Sequence, residues 1–180
     1  MRIYCFAHHY PVPYKPYYDT QFADLVEAGH EVTIFAGGRY ESTNEKVVRY
    51  GLDEKTQYFP TTLRTLAPLL PSLVRGAARD TARSLRIIRS VNTAGGGAKE
   101  RVVNTARAFS VDNGPPDLCF VHGLGTAVLV SWLRRLFPGV PVAMYYHGGE
   151  VPSVRELASE DVRRTFEAMD VVFTNTTFSR

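Results

Sequence analysis

The sequence predicts an α/β fold, a doubly wound parallel sheet with helices on both faces. Three observations carry that prediction. Two apolar strands, one in RIYCFA (2–7) and one in HEVTIFAGG (30–38), are separated by only about ten residues of helical pattern, the βαβ signature of parallel pairing. The same rhythm returns in the second half, with strands at 117–122, 141–147 and 170–175 and helical stretches between them. These strands are almost continuously apolar, as strands covered on both faces must be.

Each element follows from local chemistry. In DTQFADLVEAG, Phe22, Leu25 and Val26 fall at helical spacing, and Gly29 is placed to end the helix as a C-terminal cap. The second strand carries Val32, Ile34 and Phe35. Residues 40–62 are polar, with KVVRY and TQYF as the two candidates for a third strand. From 63 to 110 the chain reads as helical, broken at Pro68, Pro71 and NTAGGG, with one helix covering 72–90. Strand DLCFVH, helix GTAVLVSWLRRLF, strand PVAMYYH, helix SVRELASEDVRRTFEAM and strand DVVFTN follow. The expected strand order is 3-2-1-4-5-6, with 2–7 central and flanked by 31–36 and 117–121. Cys5 and Cys119 then sit on neighbouring strands and are expected as buried, reduced thiols. The stretch TTFSR, where Thr or Ser would cap a new helix, reads as a cut.

Composition narrows the class. A chain of 180 residues has room for one well-cored domain. Its 44% hydrophobic and 22% charged residues suit a soluble globular protein, not a disordered one. A net charge of +3 is too small to argue for nucleic acid. No apolar run reaches the roughly 18 residues that a membrane span needs. The start IYCFA is too short for a secretory signal. Two cysteines make no disulfide framework, so a reducing compartment and a cytoplasmic location are expected, and the sequon at Asn175 is read as chance.

In an open parallel sheet, ligands bind beyond the carboxyl ends of the strands, near the point where strand order reverses. His8 and His9 follow the first strand, His122 ends the strand at 117–122, and His147 ends the strand at 141–147. Four of the five histidines thus share one rim, and a single crevice is expected there. His30 faces the other rim and is read as structural. No metal site is expected, because only His8 and His9 are close in sequence and adjacent strand residues point to opposite faces. In VHGLGTAV, Gly123 and Gly125 open a helix, but Val128 stands where a dinucleotide fingerprint has its third glycine. A close approach of backbone to phosphate and a plain tight turn stay equally open there. YHGGEVPS repeats the device with His147, Gly148, Gly149 and Glu150.

Three other stretches carry less. TAGGGAK joins two helices and lacks the G-K-[ST] ending of a phosphate loop, so it reads as a connector. PVPYKP is pinned between a strand and a helix, which does not suit a polyproline ligand. Arg75, Arg79, Arg83, Arg86 and Arg89 share one face of the 72–90 helix, opposite Val74, Ala77, Leu85 and Ile88. A solvated face is the commoner meaning of such a stripe. An anionic membrane or a pyrophosphate-bearing lipid is the alternative, which assigns Arg75, Arg79, Arg83 and Arg86 to peripheral contact at the inner face of the cell membrane. Single-stranded nucleic acid would need interleaved aromatics, and that face has none.

Three segments, FAHHYPVPYKPYYDTQFADLVEAGHEVTIFAGG, PDLCFVHGLGTAVLVSWLRRLFPGVPVAMYYHGGE and AMDVVFTNTTFSR, together resemble the N-terminal half of a retaining GT-B glycosyltransferase of glycosyltransferase family four, of the exopolysaccharide or colanic-acid type. The resemblance runs from residue 1 to residue 180 and is weakest between 40 and 110. It implies that residues 1–180 form an N-terminal, Rossmann-like, acceptor-binding domain. The C-terminal nucleotide-sugar-binding domain is absent from this chain, so the domain alone is expected to be inactive. The whole enzyme would move a sugar, with retention, from a nucleotide sugar to a saccharide or lipid-linked acceptor in cell-surface polysaccharide synthesis. No cofactor is expected in this domain; the nucleotide sugar is the donor.

By the same resemblance, His147 faces the donor sugar across the cleft as the catalytic candidate, with Gly148, Gly149 and Glu150 beside it. The loop from His8 to Tyr18 lies between acceptor and donor phosphates, and His122 and Gly123 line the acceptor side. Where many members carry a Gly-Gly pair in the first loop, this chain has Tyr14-Lys15-Pro16-Tyr17. Either Lys15 supplies the charge or the loop serves only the acceptor. The E-x(7)-E element of the second domain is missing. Tyrosine faces suit sugar rings and the prolines limit the entropy lost on ordering, so His8, His9, Tyr10, Tyr14, Lys15 and Tyr17 join the substrate-binding set. At least one tyrosine among Tyr10, Tyr14, Tyr17 and Tyr18 is expected to pack beneath the rim instead. The competing reading is a self-sufficient flavodoxin-like or nucleotide-binding regulatory module.

Overall fold

Six strands pair side by side into one all-parallel sheet, ordered β3-β2-β1-β4-β5-β6. The strands are β1 (Arg2–Ala7), β2 (Glu31–Ala36), β3 (Thr56–Tyr58), β4 (Leu118–His122), β5 (Val142–Tyr146) and β6 (Val171–Thr174). The computed structural model describes residues 1–41, 44–92, 97–146 and 160–174, with the backbone alone at 72, 73, 76, 77 and 161. The order is the one expected from the sequence, and β1 is central. Of the two candidates for the third strand, TQYF supplies it; KVVR coils into a short helix, α2 (Glu45–Arg49), capped by the Asn44 side chain.

Helix α1 (Pro16–Glu27) shows how the local sequence sets an element. Pro16 opens it at a position where the missing N–H costs nothing. Gly29 ends it with φ +81°, its N–H donating to Val26 O while His30 N–H donates to Leu25 O. That pair of bonds is a Schellman cap, and the positive φ is what demands glycine.

The helical region after β3 is more broken than its periodicity suggests. It comprises α3 (Leu63–Leu66), a 3₁₀ turn (Ala67–Leu69), α4 (Leu70–Arg79), α5 (Thr81–Asn92) and α6 (Ala98–Val111). The single helix expected over 72–90 is therefore two. Asp80 divides them: its carboxylate accepts the Arg83 backbone N–H at 2.9 Å and starts a new helix as an N-cap. The helix expected after β4 is also split, into α7 (Leu124–Leu129) and α8 (Leu133–Leu136). Between them Trp132 is fully buried and its indole N–H donates to Leu129 O, satisfying a carbonyl the broken helix leaves open. α9 (Glu160–Glu167) precedes β6.

The sheet divides the core in two. On one face Ile3, Cys5, Ala7 and Ile34 pack with Tyr18 and Phe22 of α1 and Val47 of α2. On the other, Tyr4, Phe6, Phe35, Cys119, Val121 and Met144 pack with α5, α6, α7, α8 and the chain around α9. Cys5 and Cys119 are buried and free, as expected, and they belong to opposite faces. No rotamer could join them. Among the described residues, no helix is long and apolar enough to cross a membrane.

Candidate functional site

β1 and β2 are paired in register to their last residues, Ala7 against Ala36, so the segments that follow leave the sheet together. They stay joined. Gly37 N–H donates to His8 O at 3.0 Å, Tyr10 N–H to Gly38 O at 2.9 Å and Tyr40 N–H to Pro11 O at 3.3 Å. The Tyr58 hydroxyl adds a bond to Tyr10 O at 3.1 Å. This approach needs Gly37 and Gly38. A Cβ on Gly37 would lie 2.6 Å from Thr61 Cγ2 and 2.9 Å from His8 O, and one on Gly38 would lie 2.5 Å from the His9 ring. Gly37 and Gly38 stand outside the sequence-based set. Their signal was the strand order, which sets the ends of the first two strands side by side.

Strand alternation does not extend past Ala7, and His8 and His9 do not point to opposite faces. Their rings lie 4.4 Å apart and their Nδ1 atoms are 2.7 Å apart. One Nδ1–H donates and the other Nδ1 accepts. His9 also stands against the Tyr40 ring at 5.1 Å, and Tyr40 against Tyr14 at 6.2 Å. Tyr40, absent from the sequence-based set, is thus part of an aromatic wall.

A pocket of about 250 Å³ opens beside this wall, lined by His8, His9, Val12, Tyr14, Lys15, Tyr18, Gly125 and Thr126. It joins the loop after β1 to the first turn of α7, at the carboxyl rim where a parallel sheet binds ligands. Lys15 ends the loop just before α1, with its ammonium 5.3 Å from the Tyr18 ring centroid and 3.5 Å from the Tyr18 hydroxyl. Gly125 has open space where a Cβ would stand, so the backbone can be approached from the pocket. The wall offers a cation, imidazole nitrogens and hydroxyls with tyrosine faces between them. Such a set suits a polar ring or an anionic group, not an apolar ligand.

Other expected site residues lie elsewhere. Tyr10 is fully buried under the rim, its ring edge-on to Phe22 at 5.0 Å, and cannot touch a ligand in the pocket. Its hydroxyl is buried beside the Asp19 carboxyl, and burial raises the pKa of both groups. Tyr17 is half-exposed and meets Tyr18 edge-on at 4.9 Å, outside the pocket lining. His122, 1% exposed, lies beneath, packed by Tyr18, Phe22 and Phe120 at 4.7–4.9 Å. The Gly123 N–H is engaged by Tyr145 O and its φ is +83°, so Gly123 makes a tight turn and has no free N–H of its own for a ligand. The rim crevice therefore gathers His8 and His9, with His122 behind Tyr18. His147, Gly148, Gly149 and Glu150 lie outside the described residues.

The arginine stripe is not continuous, since Arg75 and Arg79 lie on α4 and Arg83 and Arg86 on α5. Asp112, with a side chain only 3% exposed, accepts from Arg83 Nε at 2.8 Å and from Arg86 Nη2 at 2.7 Å. Arg83 also donates to Asp112 O, and Arg86 to Leu136 O. Both arginines thus tie α5 to the end of α6, and Arg86 ties it to α8 as well. Arg107, 4% exposed on α6, donates to Pro60 O and Thr61 O and so anchors the chain leaving β3.

Residues 15–180 match the family model described as a glycosyl transferase 4-like domain. No curated protein matches the chain.

Proposed function

The chain belongs to the glycosyl transferase 4-like family, and from that premise we propose that residues 1–180 are the acceptor-binding domain of a retaining glycosyltransferase. The enzyme moves a sugar from a nucleotide sugar to a saccharide or lipid-linked acceptor in cell-surface polysaccharide synthesis, at the cytoplasmic side of the membrane. A second, nucleotide-sugar-binding domain completes the cleft. The acceptor domain alone is inactive and carries no cofactor.

The observation that carries this reading is the pocket joining the first loop to Gly125. At about 250 Å³ it is smaller than the roughly 300–1,000 Å³ of sites that enclose a whole drug-sized ligand. It grips one sugar unit and leaves the rest of the acceptor outside. Tyr14 offers a ring face to the sugar, while its hydroxyl and the imidazole nitrogens of His8 and His9 meet the sugar hydroxyls. A hydrogen-bonded imidazole pair both donates and accepts, which suits a hydroxyl that must be positioned as a nucleophile. Lys15 meets the negative charge of a phosphate on acceptor or donor. His147 approaches the transferring sugar from the opposite side of the cleft.

Chemical-shift mapping of the chain with a panel of mono- and disaccharides tests the pocket. Shifts at His8, His9, Tyr14 and Lys15 are expected; saccharide-induced shifts confined to other surfaces would remove the basis of the assignment. In the two-domain enzyme, His147→Ala should lower turnover and leave the fold intact.

A further inference from the structure

Among the described residues, a further cavity of about 350 Å³ opens at the amino ends of β4 and β5. Pro115, which lines it, lies just before β4, and Val140 lies just before β5. Gly125 and Thr126 of the saccharide pocket lie beyond the other end of β4. That strand has five residues, each rising roughly 3.3 Å, so about 16 Å of sheet separates the two cavities. They are distinct sites.

Leu136, Phe137, Pro138 and Val140 give this cavity apolar walls. Its charged lining is Arg83, Arg86 and Asp112, two guanidiniums against one carboxylate. Asp112 needs only one of them for neutrality. The other leaves a surplus positive charge beside apolar walls, where a low local dielectric strengthens its pull on an anion. Donors are left over as well. Arg83 commits Nε and Nη2 to Asp112 and the Phe109 carbonyl, and Arg86 commits Nη1 and Nη2 to Leu136 O and Asp112. Among the described residues, nothing accepts from Arg83 Nη1 or Arg86 Nε. Both side chains stay open to solvent, 32% and 46% exposed, while the buried Asp112 holds them in place before a ligand arrives.

We propose that this cavity binds a small organic monoanion with an apolar body, an aryl or branched-alkyl carboxylate. The carboxylate meets Arg83 and Arg86, and the body lies against Leu136, Phe137 and Val140. One negative charge balances the surplus, whereas a phosphate dianion would overshoot it. A planar carboxylate also matches the geometry of guanidinium N–H groups. The volume lies at the low end of the roughly 300–1,000 Å³ of small-molecule sites, which suits a body of one ring.

The test is chemical-shift mapping of the full chain, titrated in turn with sodium benzoate, benzyl alcohol and sodium acetate. Benzoate should shift Gly114, Leu136 and Val140 saturably, with a Kd on the order of 1 mM. Benzyl alcohol keeps the ring without the charge, and acetate keeps the charge without the ring. Each should bind about tenfold more weakly or worse. Acetate binding as tightly as benzoate would mean an adventitious ion only, and benzyl alcohol doing so would mean an apolar cleft only; either overturns the proposal. Val140→Phe fills the cavity and keeps both arginines, so it should lose benzoate, while Arg86→Gln should weaken it about tenfold. Circular dichroism checks the fold of each variant, and the three-ligand comparison on the unaltered chain stands whatever the variants do. Undiminished binding by folded Val140→Phe overturns the proposal, as does the absence of saturable shifts. Shifts confined to His8, Tyr14 and Lys15 would give the anion to the saccharide pocket and overturn it too.

Discussion

Two glycines decide where the histidines of the first loop sit. A methyl group on Gly37 would press on the backbone oxygen of His8 and on Thr61, neither of which can retreat without moving the loop. Gly37→Ala should therefore cost about 1–3 kcal/mol, read as a lowered urea midpoint. Gly38→Ala meets only the His9 ring, so it should displace that ring and weaken saccharide binding more than stability. Gly125 is the contrast: with open space at its Cβ, Gly125→Leu should leave stability within about 0.5 kcal/mol and fill the pocket, abolishing saccharide shifts. Asp19 adds a pH dependence. Burial raises its folded pKa, so as pH climbs from the unfolded value of about 3.9 the unfolded chain releases its proton first. Stability on this account is full below the unfolded value and falls as pH rises through the folded one. Asp19→Asn should flatten that fall, gaining stability at pH 7 and little at pH 3, measured by urea denaturation at both.

At the scale of elements, the clasp on Asp112 joins α5, α6 and α8. Asp112→Ala strands two arginines that are partly exposed and can swing to water, so the loss should be roughly 2–3 kcal/mol, below the 3–5 of a pair whose survivor stays buried. A denaturation midpoint that does not move would show the clasp to be idle. The central strands were legible because a parallel strand covered on both faces is mostly apolar, whereas the short polar edge strand β3 was legible only as one of two candidates. The boundaries of β1 and β2 lie within a residue of where their apolar runs begin and end. The break at NTAGGG was legible too, but the one at Asp80 was not, because arginine and aliphatic periodicity runs straight through Asp80, whose capping role depends on a side-chain rotamer. The candidate pocket was legible in its address, the carboxyl rim, and in five of the residues that line it, His8, His9, Tyr14, Lys15 and Gly125. It was not legible in Tyr10 and His122, whose ring types serve a core as well as a ligand, nor in Tyr40, which reaches the wall only through the pairing of β1 with β2.

Across the whole molecule, the sheet separates two cores, each holding one thiol. Burial pushes Cys119 up to about 12, and Cys5 higher still, where thiolate is negligible at neutral pH. Neither should react with a disulfide reagent while the fold is closed, and two equivalents should react in denaturant. Rapid labelling of the native chain would contradict the burial of both side chains.

Because Cys5 looks toward α1 and α2 while Cys119 looks toward the helices of the other layer, the two sulfurs are clocks set on opposite sides of one wall. If the molecule opens only as a whole, both clocks keep the same time under native conditions. If one helical layer lifts away first, its cysteine runs ahead, and mass spectrometry of singly labelled chains would read directly which side of the sheet lets go before the other.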